Sequence, residues 1–140
     1  MNAFLTEKTF KKGVAAYLER FKYSNTKQED LWEELTKAAL IDHTLDTDLT
    51  VETIMNTWTL KKGYPVVDMK REGDQLVSSQ RWFLLNPENT IQNTEEYKNT
   101  SWYVPITYTC EKEQDFNFEK RPQWLKSVEK PCNNLICYYF

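Results

Sequence analysis

Two rhythms divide the chain. Up to Gly63 the apolar residues recur every three or four positions, as along one side of a helix. Beyond it, β-branched and aromatic residues alternate, as on the face of a strand. The first rhythm predicts a helix from Thr6 to Lys22, with Phe10, Val14, Tyr17, Leu18 and Phe21 on one stripe. Thr6 offers an N-cap oxygen, and Glu7 places negative charge where the helix dipole favours it. Ser24-Asn25 breaks the pattern. A second helix is predicted from Lys27 to Leu40, buried through Leu31, Trp32, Leu35, Ala38 and Ala39. Its start, Thr26-Lys27-Gln28-Glu29, has the capping-box pattern, with Glu29 reaching back to the cap backbone. Asp42 to Leu49 is polar and reads as a loop. A third helix is predicted from Val51 to Lys62, capped by Thr50, with Val51, Ile54, Met55 and Trp58 as its stripe. Lys61-Lys62-Gly63 has the composition of a helix end.

Tyr64-Pro65 prevents the helix from continuing. Val66 to Lys70 and Gln75 to Leu85 read as the two strands of a hairpin, turning at Glu72-Gly73-Asp74. Asn86 to Thr100 reads as a long loop. Ser101 to Cys110 reads as a third strand, with Trp102, Val104, Ile106 and Tyr108 alternating onto one face. Pro105 suits an edge or a bulge there. Phe116 to Lys130 is mixed, with one short helix or strand near Trp124-Leu125, and Pro131 to Phe140 is rich in cysteine and aromatics. The fold class is therefore α+β. Three strands are too few for a self-contained sandwich, so the β half reads as the opening of a domain.

Composition narrows the chemistry. The 140 residues carry a net charge of -3, which argues against general nucleic-acid binding, since phosphate contacts need a basic surface. No stretch approaches the roughly 18 uninterrupted apolar residues of a membrane helix, and the start, Met1 to Lys8, meets charge too soon for a signal peptide. A zinc site needs three or four Cys, His or carboxylate ligands. His43 is the single histidine and sits in a polar loop, so it reads as a surface residue. Cys132 and Cys137, with four residues between them, make a weak metal motif; a disulfide or two unpaired thiols are the plainer readings. Cys110 reads as a buried strand residue. A serine or cysteine nucleophile lacks a base, because one loop histidine cannot be expected beside it. The carboxylate pairs Glu33-Glu34, Glu95-Glu96 and Asp46-Asp48, and the cluster Glu111 to Asp115, read as solvated surface. Trp82, Phe83, Trp102, Tyr103 and Tyr108 read as core or interface before they read as a sugar-stacking platform. Asn99-Thr100-Ser101 is an N-glycosylation acceptor pattern, relevant only in the secretory pathway.

Several runs resemble the M1 family of zinc aminopeptidases, most closely the insect aminopeptidase N group. Phe4 to Val14, with Tyr17-Leu18, resembles a helix late in that family's peptidase domain, and Asn25, Asp30-Leu31-Trp32-Glu33 and Leu35 resemble the next. The most specific likeness is Met55-Asn56-Thr57-Trp58-Thr59-Leu60-Lys61-Lys62-Gly63-Tyr64-Pro65-Val66-Val67. In the family such a run closes the helical peptidase domain and opens a small β-sandwich. Gln80 to Leu85 and Trp102 to Tyr108 are similar to early strands of that sandwich. The resemblance runs from about residue 3 to 129, and Pro131 to Phe140 does not share it. The family's His-Glu-x-x-His motif, its third zinc ligand, its Gly-x-Met-Glu-Asn run and its transition-state tyrosine have no matching positions here.

What the resemblance implies is a gluzincin peptidase domain ending over residues 1–63, the first strands of an incomplete β-sandwich over 64–130, and an unrelated tail over 131–140. It implies an internal fragment of an enzyme that removes N-terminal residues from peptides, with this segment structural. The competing expectation is a non-catalytic binding or interaction module derived from the same family. No catalytic, cofactor-binding or metal residue is assigned. Zinc is expected in the parent enzyme and not in this chain. The expected partners are peptide substrates and neighbouring domains of the parent, with no nucleic acid. Parent proteins of this kind are expected outside the cell or anchored at the plasma membrane.

Overall fold

The computed structural model describes residues 1–72, 75–86, 94–110, 121–126, 129–132 and 137–138. They form helices α1 (Asn2–Leu5), α2 (Glu7–Arg20), α3 (Gln28–Ile41), α4 (Val51–Thr59) and α5 (Glu95–Asn99). The strands are β1 (Pro65–Glu72), β2 (Gln75–Trp82), β3 (Val104–Ile106), β4 (Thr109–Cys110), β5 (Gln123–Leu125), β6 (Glu129–Cys132) and β7 (Cys137–Tyr138). The chain is α+β and divides into two compact units. One holds residues 1–56 with Arg121 and Pro122; the other holds the described residues from 57 to 110 and from 123 onward.

The first unit is helical. Thr6 caps α2, its side chain accepting from the Thr9 N–H at 3.4 Å. The start of α2 lies against the end of α3: Thr9 Oγ1 donates to Asp42 Oδ2 at 3.1 Å, and Lys12 Nζ donates to Asp42 Oδ1 at 2.6 Å. The end of α2 lies against the start of α3 through Arg20, which pairs with Glu33 and Glu34. The two helices are therefore antiparallel. The expected stripe on α2 is corrected by this packing. Thr9 and Gly13 are its buried residues; Phe10, Val14, Tyr17 and Phe21 are half-buried and Leu18 is exposed. The physical reason is close approach, because a Cβ on Gly13 would stand 2.8 Å from Leu35 Cδ2 and 3.0 Å from Leu35 Cα. Only a residue without a side chain lets the two backbones come so near.

On α3 the cap sits one residue later than the spacing suggests. Lys27 is the N-cap, and Asp30 rather than Glu29 reaches back, its Oδ2 accepting from the Lys27 N–H at 2.8 Å. Trp32, Leu35, Ala38 and Ala39 are buried as expected, while Leu31 is half-buried. In the loop that follows, Leu45 and Leu49 turn inward and are buried. Thr36 links the loop's far end to α3, its hydroxyl donating to the Trp32 carbonyl at 2.7 Å and accepting from the Val51 N–H at 2.9 Å. Thr50 caps α4 by accepting from the Thr53 N–H at 3.0 Å. Val51 and Ile54 are buried, but α4 stops at Thr59, three residues short of the expected end.

In the second unit β1 and β2 form an antiparallel hairpin, with Pro65 opposite Trp82 and Glu72 opposite Gln75. The turn between them, expected at Glu72-Gly73-Asp74, has its two central residues outside the described set. β2 is the middle strand of a three-stranded sheet of order β1-β2-β6. Its residues Leu76, Ser78, Gln80 and Trp82 alternate onto a buried face. Edge strand β1 ends in the charged run Lys70-Arg71-Glu72, which is exposed and discourages further pairing at that end. The expected third strand is two pieces, β3 pairing with β5 and β4 with β7. Pro105 is exposed within β3, in a ladder that among the described residues has two strands. β5 is the short element expected near Trp124-Leu125, and it is a strand; β6 and β7 add to those the alternation reveals. The stretch expected to be loop contains α5, capped by Thr94, whose side chain accepts from the Tyr97 N–H at 3.2 Å.

Two tests follow from the helical unit. Gly13→Ala gains about 1 kcal/mol of helix propensity, but overpacking a tight contact costs about 1–3 kcal/mol. Because one contact is to backbone, crowding wins, and urea unfolding should show a loss of stability; a gain would mean that the helices separate freely. The second test concerns acid. Glu34 is nearly buried, and its hydrogen bonds from Lys37 and then Arg20 hold its carboxyl below the usual range. Lys12 does the same for Asp42. Carboxyls depressed in the folded state stabilise it above their unfolded values and lose that contribution as pH falls through the folded ones. Stability should therefore drop below about pH 4, and Glu34→Gln should flatten the drop. An unchanged acid limb would remove Glu34 from the cause.

Candidate functional site at the helix-to-strand junction

The residues from Thr57 to Gly63 meet the ends of the strands that follow through several hydrogen bonds and ring contacts. Trp58 Nε1 donates to the Tyr103 carbonyl at 2.9 Å, and the Tyr103 N–H donates to Thr57 Oγ1 at 3.1 Å. The last turn of α4 thus holds the segment leading into β3 by both its donor and its acceptor. Lys61 Nζ donates to the Ser101 carbonyl and lies 6.0 Å from the centre of the Trp102 ring, within reach of a cation–π attraction.

Gly63 has φ 83°, a left-handed backbone that glycine adopts without strain. A Cβ there would fall on the Trp82 indole, 2.9 Å from Cδ1. Gly63 is thus the point where the chain reverses against Trp82. The Phe83 N–H then donates to the Tyr64 carbonyl at 3.0 Å, and the two rings stack at 4.8 Å. Trp82 is covered on other sides by Tyr97, stacked at 6.1 Å, and by Trp102, edge-on at 6.3 Å. Tyr97 Oη donates to the Trp82 carbonyl at 3.2 Å, which fixes α5 against the end of β2.

At the centre is Gln80. Its Oε1 accepts from the Trp102 N–H at 2.8 Å, and its Nε2 donates to the carbonyls of Trp102 at 2.9 Å and Leu125 at 3.3 Å. Gln80 is 1% exposed and Trp102 0%, so these bonds replace water entirely. The indole N–H of Trp102 meets no acceptor, so packing and the clamped main chain hold the ring.

The chemistry-bearing residues fall elsewhere and apart. His43 is exposed, with φ 53°, and its carbonyl accepts from Arg121. Glu33 and Glu34 are neutralised by Arg20 and Lys37. Hydrogen bonding from Lys37 holds both carboxyls low, and Arg20 adds its charge at Glu33 and a hydrogen bond at Glu34. Glu95 pairs with Lys98 at 3.3 Å, and Asp46 with Arg121 at 3.7 Å. Cys132 lies on β6 opposite Leu76, and Cys137 lies on β7 opposite Cys110, so the two neighbours in sequence belong to different sheets. Glu111 to Asp115 lie outside the described residues. The aromatic set divides by burial. Trp82 and Trp102 are buried, while Phe83, Tyr103 and Tyr108 are half-buried. Gln80 and Tyr97 are the site residues that the sequence pattern does not single out. Gln80 alone could have drawn attention, as a polar residue in phase with Leu76 and Trp82.

Zinc, which the family resemblance implies, does not fit this arrangement. Among the described residues no group of three or more His, Cys, Asp or Glu side chains could hold a metal ion. Among them, too, no helix is long and apolar enough to cross a membrane. The arrangement joins a helix end to strand ends through side-chain bonds to the main chain of Trp102, Tyr103 and Leu125.

Comparison with known proteins gives this junction a family. The model of the peptidase family M1 domain matches residues 1–58. Aminopeptidase N of Bos taurus is 35% identical over 97% of this chain and 13% of its own length. Aminopeptidase N of Homo sapiens is 39% identical over 76% of this chain and 11% of its own length. Glutamyl aminopeptidase of Sus scrofa is 30% identical over 86% of this chain and 12% of its own length. The likeness thus runs through both rhythms of the sequence and across Gly63, and the chain belongs to the M1 peptidase family. It spans about an eighth of the length of the curated relatives it matches.

The site yields its own test. Gln80→Leu keeps the volume roughly and removes every polar atom, leaving the Trp102 N–H and C=O groups buried and unpaired. Each such group costs about 1–3 kcal/mol, so a loss of about 2–6 kcal/mol is expected in denaturant unfolding, with a changed near-ultraviolet circular dichroism signal from the tryptophans. A loss below about 0.5 kcal/mol, within the range of an ordinary surface substitution, would show that the clamp is dispensable.

Proposed function

We propose that this chain is a structural segment of a zinc-dependent M1 aminopeptidase, an enzyme that removes N-terminal residues from peptides, and that the segment is not catalytic by itself. On this reading residues 1–63 are the helical end of a gluzincin peptidase domain, and 64–130 open a β-sandwich. The metal ligands and the groups that hold the substrate's amino terminus belong to other parts of the longer protein. Its partners are peptide substrates and the neighbouring domains of its own chain. Its place is outside the cell or at the plasma membrane.

The single observation that carries the proposal is the match to aminopeptidase N, which covers nearly all of this chain and a small part of the relative. A second observation supports it. Leu60 is 70% exposed and Leu85 91% exposed, and Ile41 is 66% exposed. Large apolar side chains left in water cost about 25 cal/mol per Å², which is the expected condition of surfaces that further parts of the same protein cover. The role of this segment would be to stiffen a domain boundary. The Gly63–Trp82 contact and the Gln80 clamp suit it, because neither leaves a polar group to react.

The test is to sequence the native transcript across both ends of this reading frame, and to assay the longest protein it encodes beside this chain. The longer protein should release N-terminal residues from peptides, lose that activity to a chelator and regain it with zinc, while the chain alone shows neither activity nor stoichiometric zinc. Peptidase activity and bound zinc in the chain alone would sink the structural reading. A transcript encoding no metal-binding motif would sink the enzyme reading and leave a non-catalytic interaction module.

A further inference from the structure

We infer that Asn99 is an N-glycan acceptor. The inference rests on the proposed extracellular placement and goes beyond it by naming a modification site. Asn99-Thr100-Ser101 is the one Asn-x-Ser/Thr triplet in the sequence, and its middle residue is not proline. The structure adds what the triplet alone lacks. Asn99 is the last residue of α5, at the surface, with its side chain exposed. Its only described side-chain bond is a long one, Nδ2 donating to Glu95 Oε2 at 3.4 Å, which a substituted amide can give up at small cost. Directly after it, Thr100 leaves the helix in extended geometry, with φ -76° and ψ 119°, so the backbone turns away from the amide. A glycan on Nδ2 would therefore project into solvent without displacing Trp82, Tyr97 or Trp102, which form the packed side of the same region.

The state of Ser101 dates the event. Its hydroxyl is what a transferase reads two residues beyond the asparagine. In the folded chain Ser101 is half-buried, and its Oγ donates to the Lys126 carbonyl at 3.3 Å. Its own carbonyl accepts from Lys61. The acceptor hydroxyl is thus engaged once the second unit has closed, and transfer precedes that closure, on the emerging chain. In the transfer the Asn99 amide nitrogen attacks the anomeric carbon of a lipid-pyrophosphate-linked oligosaccharide. A C–N bond forms, the C–O bond to pyrophosphate breaks, the lipid pyrophosphate leaves with the electron pair, and the amide proton passes to the enzyme's base. After folding, the sugar stays outside while Ser101 is tucked in, so the modification is compatible with the finished structure.

The experiment expresses the full 140-residue chain behind a cleavable heterologous signal peptide in insect cells. Loss of the signal peptide reports entry into the lumen whether or not the chain later folds. Peptide mapping after amidase treatment in heavy-oxygen water should then convert Asn99 to labelled aspartate and leave Asn25 unlabelled, since Asn25 is exposed but has Lys27 where a hydroxyl is needed. Asn99→Gln and Ser101→Ala should each abolish the gel shift, and Ser101→Thr should keep or raise it. An unmodified Asn99 in chains that have lost the signal peptide would overturn the inference. The native protein separates the two readings: if Asn99 is modified behind the heterologous signal but bare in the protein taken from tissue, the acceptor site stands and the extracellular placement falls.

Discussion

The second unit depends on one buried amide. Gln80 sits on the inward face of β2 with Leu76, Ser78 and Trp82, and a polar group in that position is costly unless the bonds it loses to water are replaced. Gln80 bonds to main-chain partners on Trp102 and Leu125. An apolar residue there would tolerate small slips of the neighbouring segments. An amide does not, because a slip of one residue would break several bonds together. The location of Trp102, and through it the arrangement of Trp82, Tyr97 and Lys61, follows from that restriction.

The helical unit is specified differently, by shape and by charge. Gly13 brings α2 and α3 close enough for backbone contact with Leu35. The ends of the pair are then held by opposite charges, Lys12 with Asp42 at one end and Arg20 with Glu33 and Glu34 at the other. Exposed pairs contribute little each. Glu34 is the exception, since it is nearly buried and would be costly to leave without Arg20 and Lys37. The carboxylates of Glu33, Glu34 and Asp42 are thereby occupied in holding the two helices together.

Membership of the family and the character of the site are consistent for a physical reason. A boundary between helices and strands must change backbone direction without leaving unpaired groups inside. Gly63 supplies the left-handed turn, Trp82 fills the space its absent side chain leaves, and Thr57 and Trp58 satisfy the main chain of Tyr103. The run from Met55 to Val67, the most specific part of the resemblance, is the same run that makes this turn.

The sequence by itself determined that three substantial helices precede Gly63 and strands follow it, that Thr6 and Thr50 cap helices, and that His43 lies at the surface. These are local properties. Helical and strand periods repeat within a few residues, a cap oxygen bonds to an N–H three residues on, and a lone polar residue in a polar loop has no reason to be buried. Tertiary structure alone decided that α2 buries Thr9 and Gly13 instead of Phe10 and Leu18, because the partner helix sets which face can approach closely. It alone divided the stretch from Ser101 to Cys110 into two strands with different partners, and drew α5 out of an apparent loop by anchoring Tyr97 to Trp82. The Gln80 clamp was out of reach for the same reason: its partners lie 22 and 45 positions away, and the energy that makes it necessary exists only once water has been excluded between them.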